Sequence, residues 1–140
     1  MMVTLVESAA RTSSSNSGAL PISQLRFVKV ANFFLDVTAA AKLVTDTLNV
    51  YIQSSIDGVI WDDFVSFTQV LGNGGAKQYI ARWFRDLSPE AELAAPSDKA
   101  LAAGVRQGPV PCGYWRVAWV IAGGVDKSFT FSISAEIFRK

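Results

Sequence analysis

The 140-residue chain contains no histidine and a single cysteine. Without histidine, neither a Ser-His-Asp nor a Cys-His nucleophile system can be assembled, and the commonest metal ligand is missing. The lone thiol, Cys112, forms no intrachain disulfide and no cysteine-rich zinc site. In "VPCGYW" it precedes a strongly apolar strand and reads as a small packed thiol, not a nucleophile. Charge is scarce as well. Thirteen basic and twelve acidic residues leave a net charge of +1, and 18% of the chain is charged against about 25% in an average domain. That balance offers no clustered basic surface for nucleic acid. Nor is there a long apolar run. "VAWVIAGGV" (117–125) is far short of the roughly 18–20 residues that span a bilayer. The opening "MMVTLVESAA" has no basic segment, and Glu7 interrupts its apolar run, so it is not a secretory signal. A soluble protein made in a cytoplasm is expected, with neither nucleic acid nor membrane as partner.

What is present is apolar and aromatic. Half of the residues are hydrophobic and nine are Phe, in a length that suits one domain with a substantial core. Few charges and many aromatics in a small domain point to surface buried against copies of itself or a partner.

Along the chain the texture changes twice. Residues 1–10 resemble a short strand, and "TSSSNSGALPISQ" (12–24) is polar, small and punctuated by Gly18 and Pro21. Residues 1–24 therefore read as a strand and flexible arm that orders on contact, and removing 1–20 is expected to leave the remaining domain folded. From residue 25 to 140 the chain reads as β. "TLNVYIQ" (47–53) places Leu48, Val50 and Ile52 on one face. "YWRVAWVI" (114–121) does the same with Trp115, Val117, Trp119 and Ile121, and "SFTFSISAEIF" (128–138) with Phe129, Phe131, Ile133, Ala135 and Ile137. Val50, Ile52, Trp115, Val117, Trp119, Phe129, Phe131 and Ile133 form the expected core. In "LRFVKVANFFLDVT" (25–38) the alternation slips, which places a bulge near Asn32.

Asp57-Gly58, "GNGG" (72–75) and "GGVDK" (123–127) read as hairpin connections. Six or seven short antiparallel strands joined this way make a β-sandwich, either jelly-roll-like or immunoglobulin-like. The segment 86–111 departs from the rhythm. Ser88 with Pro89, and Ser97 with Gly104 beyond, can start and end short helices inside a long insertion loop.

"SIDGVIWDDF" (55–64) carries three carboxylates, Asp57, Asp62 and Asp63, within seven positions. The Asp-x-Asp-x-Asp spacing of a calcium loop is absent. Adjacent Asp62 and Asp63 on a strand point to opposite faces, so they are no acid/base pair. Asp57-Gly58 suits a two-residue type I′ turn, with Asp62 and Asp63 left in water near the strand end. "GNGG" lacks the Lys-Ser/Thr of a phosphate-binding loop. "WRVAW" (115–119) and "RWFR" (82–85) mix Arg with aromatics, but Trp115 and Trp119 share an apolar strand face and belong in the core. Arg82, Arg85, Arg106 and Arg116 are too few and too balanced to bind a polyanion. No catalytic, cofactor or metal residues are assigned. The polar strand faces carry Thr, Ser, Asn and Gln more than Lys and Glu, which suits close packing in a symmetric assembly.

Several stretches together resemble a known group. "VTLVESAART" (3–12), "FFLDVTAAA" (33–41), "TLNVYIQSSIDGVIWDDFVSFTQV" (47–70) and "GYWRVAWVIAGGVDKSFTFSISAEI" (113–137) are similar to small structural proteins of tailed bacteriophages. The resemblance covers most of the chain except 86–111, and its elements are fold motifs, not catalytic signatures. It implies a non-enzymatic virion component on a β-sandwich. The favoured role is a decoration or cement protein, trimeric by preference, that clamps the major capsid protein. A head-tail connector or tail component is the alternative. Multivalent, arm-mediated binding favours decoration. Candidate partner contacts are Arg11, Leu20, Ile22 and Arg26 on and near the arm, and Leu93, Leu101 and Arg106 in the insertion. A carbohydrate-binding module, with Trp61 or Tyr51 as sugar platform, is the reading from a different class.

Overall fold

The computed structural model describes residues 1–20, 28–40, 43–84 and 114–138. Among them the chain is all-β: β1 (Met2–Arg11), β2 (Ser15–Asn16), β3 (Val30–Ala39), β4 (Thr47–Ser55), β5 (Asp62–Ser66), β6 (Val70–Leu71), β7 (Lys77–Phe84), β8 (Tyr114–Ala122) and β9 (Phe129–Phe138). The helices expected within 86–111 fall outside the described residues.

Two antiparallel sheets form. One has the order β1-β9-β3-β7 and the other β2-β8-β4-β5, with β6 also on β4. β5 and β6 lie end to end along β4. Asp62–Ser66 run opposite Ser54–Tyr51, Val70 and Leu71 opposite Leu48 and Thr47, and the Phe67 N–H donates to the Val50 carbonyl at 3.0 Å between them. Counted as one interrupted strand, they bring the total to eight, four per sheet.

Strict alternation drives this arrangement. Ala31, Phe33, Leu35 and Val37 on β3 are buried, as are Leu48, Val50 and Ile52 on β4. So are Trp115, Val117, Trp119 and Ile121 on β8, and Phe129, Phe131 and Ile133 on β9. A period of two puts each set on one sheet face, and the two faces close on each other. Rings bridge the layers. Phe33 and Trp83 from the first sheet meet Phe64 and Trp115 from the second, with centroids 5.5–6.3 Å apart. Trp119 meets Phe131 edge-on at 5.7 Å.

Several expectations are corrected. Residues 1–11 are not an arm. β1 pairs with β9 from Met2 opposite Glu136 to Arg11 opposite Phe129, and Val3, Leu5 and Val6 are buried. The serine-rich stretch after it is likewise part of the fold. It covers the edge of β8: the Val117 N–H donates to Ser17 Oγ and the Ile121 N–H to Ser14 Oγ, both at 2.9 Å. The Ser17 N–H donates to the Val117 carbonyl and the Leu20 N–H to that of Trp115, both at 2.8 Å. Serine hydroxyls stand in for missing ladder acceptors, a device with no hydrophobic period to reveal it.

There is no bulge at Asn32, because β3 keeps register with β7 and β9 straight through it. The irregularity lies between Val37 and Ala39. What looked like a slip is the entry to the strand, where buried Val28 is followed by exposed Lys29 and Val30. Finally, "GNGG" and "GGVDK" are not hairpins. Each carries the chain from one sheet to the other. Gly123 has φ 137°, and a Cβ there would lie 2.8 Å from Asp46 Cα. The close approach lets buried Asp46 Oδ1 accept the Gly124 N–H at 2.9 Å, while its carbonyl accepts the Gly72 N–H at 2.8 Å. One residue thus ties three connections together.

Candidate functional site

The strand order brings Leu20, Val30, Ser55, Phe84, Tyr114 and Phe138 to one end of the sandwich. Leu20 hydrogen-bonds to Trp115, Ser55 pairs with Tyr114, and Val30 pairs with both Phe84 and Phe138. The β4–β5 loop, residues 56–61, emerges at this end. The opposite end holds the short connections stitched by Asp46.

Asp57 builds the loop. Its Oδ1 accepts the Val59 N–H at 2.8 Å, the Ile60 N–H at 3.0 Å and the Ser55 hydroxyl at 3.0 Å. Ser55 Oγ in turn accepts the Gly58 N–H at 2.8 Å, and Gly58 takes φ 77°. This is an aspartate-centred turn in a six-residue loop, not the two-residue type I′ turn expected from Asp-Gly. It holds Ile56, Val59 and Ile60 outward, 49%, 77% and 36% exposed, beside half-exposed Tyr114. Three aliphatic side chains on a hydrogen-bonded tip are unusual for a solvated loop.

Hydrogen bonds from Ile60, Val59 and Ser55 hold the Asp57 carboxyl below the usual carboxylate range. The folded-state pKa is depressed, so the contribution is present above the ordinary Asp pKa. It is lost as pH falls through the lowered value. Asp57→Asn is expected to remove that acid-limb loss from a plot of melting temperature against pH. An unchanged acid limb would show that the carboxylate is not what orders the tip.

Asp62 and Asp63 are not in water: both are buried, 1% and 4% exposed. A register shift opposite Ile52 and Gln53 leaves Phe64 as the extra residue of β5, with its ring in the aromatic cluster. Asp62 lies opposite buried Ser54 and Asp63 opposite Gln53, on alternate faces of the sheet. On the outer face Gln53 Nε2 donates to Asp63 Oδ1 at 2.7 Å, and Arg116 Nε donates to Gln53 Oε1 at 2.6 Å. The Arg116 guanidinium lies 4.4 Å from the centroid of Trp61, which is 6% exposed. Burial, then the Asp63 charge, pushes the Tyr51 hydroxyl up. On the outer face Arg116, Gln53 and Asp63 thus form a hydrogen-bonded polar seam across β8, β4 and β5. Among the described residues no three His, Cys, Asp or Glu side chains gather where they could hold a metal.

The expected contact residues separate. Arg11 turns back onto its own domain. Bulges in β1 present the Glu7 and Ala9 carbonyls to its guanidinium at 2.7 and 3.0 Å, and the Phe131 carbonyl accepts at 2.9 Å. The same group stacks on Phe131 and Trp119, 4.6 and 5.0 Å from their centroids. It closes an end of the core and is not presented to capsid carboxylates. Leu20 is partly buried against the core. Ile22, Arg26, Leu93, Leu101 and Arg106 lie outside the described residues. Ile56, Val59 and Ile60 were missed by the sequence reading. The available signal was an aliphatic-rich stretch, "SIDGVI", that no alternation could bury.

No family model matches the chain, and no match is found among curated proteins or solved structures.

Proposed function

We propose that the chain is a non-enzymatic structural protein of a tailed-phage particle, a decoration or cement protein that binds and stabilises the shell of the major capsid protein. The observation that carries this reading is the apolar tip of Ile56, Val59 and Ile60, fixed by Asp57 at one end of the sandwich. A braced apolar tip suits insertion into a partner groove, and repetition over a shell turns modest contacts into firm binding.

The strand order supports it. With β5 and β6 counted as one, eight strands order as first-eighth-third-sixth over second-seventh-fourth-fifth. That is the winding of a jelly roll, an architecture that serves viral capsid and lectin domains. Fold alone does not assign function. Against the lectin side, Trp61 lies beneath Arg116 and presents no open aromatic platform.

The test is the copy number of this protein relative to the major capsid protein in purified particles, by quantitative mass spectrometry. A ratio near one is expected. A few copies per hundred would make it a connector or tail component, and absence from the particle would overturn the reading. Within it, Val59→Asp is expected to reduce association with undecorated shells by about tenfold or more while leaving the melting temperature unchanged, because Val59 is 77% exposed. Full retention of binding would remove the tip from the interface.

A further inference from the structure

The edges of the two sheets are not alike. β1 carries two register shifts, β2 is two residues long, and β5 is short and bulged against β4. Such features blunt an edge against further pairing. β7 has none of them. It runs eight residues, about 27 Å at 3.4 Å per residue, in unbroken register with β3, and among the described residues no strand lies on its other side. Its two charges, Lys77 and Arg82, leave a neutral stretch Gln78–Ala81 between them. Ile80 at its middle is 56% exposed.

We infer that β7 pairs antiparallel with β7 of a second copy of this chain, about a two-fold axis at Ile80, joining two four-stranded sheets into one of eight. Face parity limits the two-fold to a residue position, and the exposed apolar Ile80 at mid-strand sets it there. Residues opposite each other in an antiparallel pair share a face, and of the registers that keep outward residues together the one with Ile80 opposite its own copy buries the exposed apolar side chain at the strand's middle. Gln78 then faces Arg82 of the second copy, and Tyr79 faces its Ala81.

The flanking strands fit this register. Phe34 pairs with Ile80 on the outer face, so the two-fold makes a continuous apolar row of Phe34, Ile80 and their copies. Asp36 pairs with Gln78, so each Arg82 comes two strand spacings, about 10 Å, from an Asp36 of the other copy with Gln78 between. In this register each Arg82 meets a neutral Gln78 and not its own copy, so the contact is isologous without opposing like charges. It takes the place of the three-fold arrangement that the phage resemblance implies, and it does not depend on the particle reading.

The test combines sedimentation with register-specific crosslinking of the full chain. The protein is expected to sediment as a dimer in the micromolar range. Ile80→Lys should raise the dissociation constant about tenfold or more by opposing like charges, with the melting temperature of the monomer retained. In a Cys112→Ser background, Ile80→Cys should oxidise to a covalent dimer, whereas Gln78→Cys should not. The Gln78→Cys/Arg82→Cys pair should crosslink across the two-fold. A monomer, a trimer, a dimer indifferent to Ile80→Lys, or equal crosslinking at Gln78→Cys and Ile80→Cys would overturn the inference.

Discussion

Deleting residues 1–20 is expected to unfold the domain. The segment contributes the whole of β1 and the cover on the β8 edge. Val3, Leu5 and Val6 are buried in the core, at about 1.5–3 kcal/mol each, or about 5–9 kcal/mol together. A domain's total stability is about 5–15 kcal/mol, so this loss alone is of the same size. The deletion also strips Arg11 from Trp119 and Phe131 and leaves the N–H groups of Val117 and Ile121 without their serine acceptors. Far-UV circular dichroism and urea melting of residues 21–140 check it. A cooperative transition near that of the full chain would show that the sandwich closes without β1 and would restore the arm. The same result bears on particle assays: loss of shell binding in this deletion reports unfolding, so Val59→Asp is the variant that isolates the interface.

Trp115→Ala is expected to cost about 3–5 kcal/mol, near the upper end of what a single buried substitution does. Trp115 is 5% exposed and its ring meets Phe64 at 4.8 Å, Trp83 at 5.5 Å and Phe33 at 6.3 Å. Two of those partners belong to the opposite sheet, so the cavity opens between the layers, where neither sheet can collapse without moving its strands. Trp119→Ala should also be costly. It leaves one ring partner, Phe131, removes the platform under Arg11, and loses a hydrogen bond of 3.2 Å from the indole N–H to the Ser13 carbonyl. Chemical denaturation of both variants checks the order, with Trp115→Ala the larger. A loss under about 1 kcal/mol at Trp115 would mean that the aromatic cluster does not hold the layers together.

What the sequence determined by itself was the set of inward faces. Leu48, Val50 and Ile52, or Phe129, Phe131 and Ile133, are legible because a strand's period of two is a local property. All-β character and antiparallel pairing follow from the same signal. The lack of histidine likewise excludes the nucleophile systems that need an imidazole.

Only the tertiary structure decided which strands pair. A glycine-rich connection looks the same whether it turns back within a sheet or crosses to the other, so "GGVDK" carried no sign of its crossing. "TSSSNSG" looked like a linker because its bonds to β8 come from hydroxyls and backbone, roughly a hundred residues away in sequence. Asp62 and Asp63 looked solvated because a bulge at Phe64 and a stacked Trp61 have no local spelling. Arg11 looked available because its carbonyl partners exist only once β1 bulges against β9. Periodicity is written into the chain residue by residue. Partners across 100 positions are chosen by which buried faces and unpaired edges remain when the two sheets close.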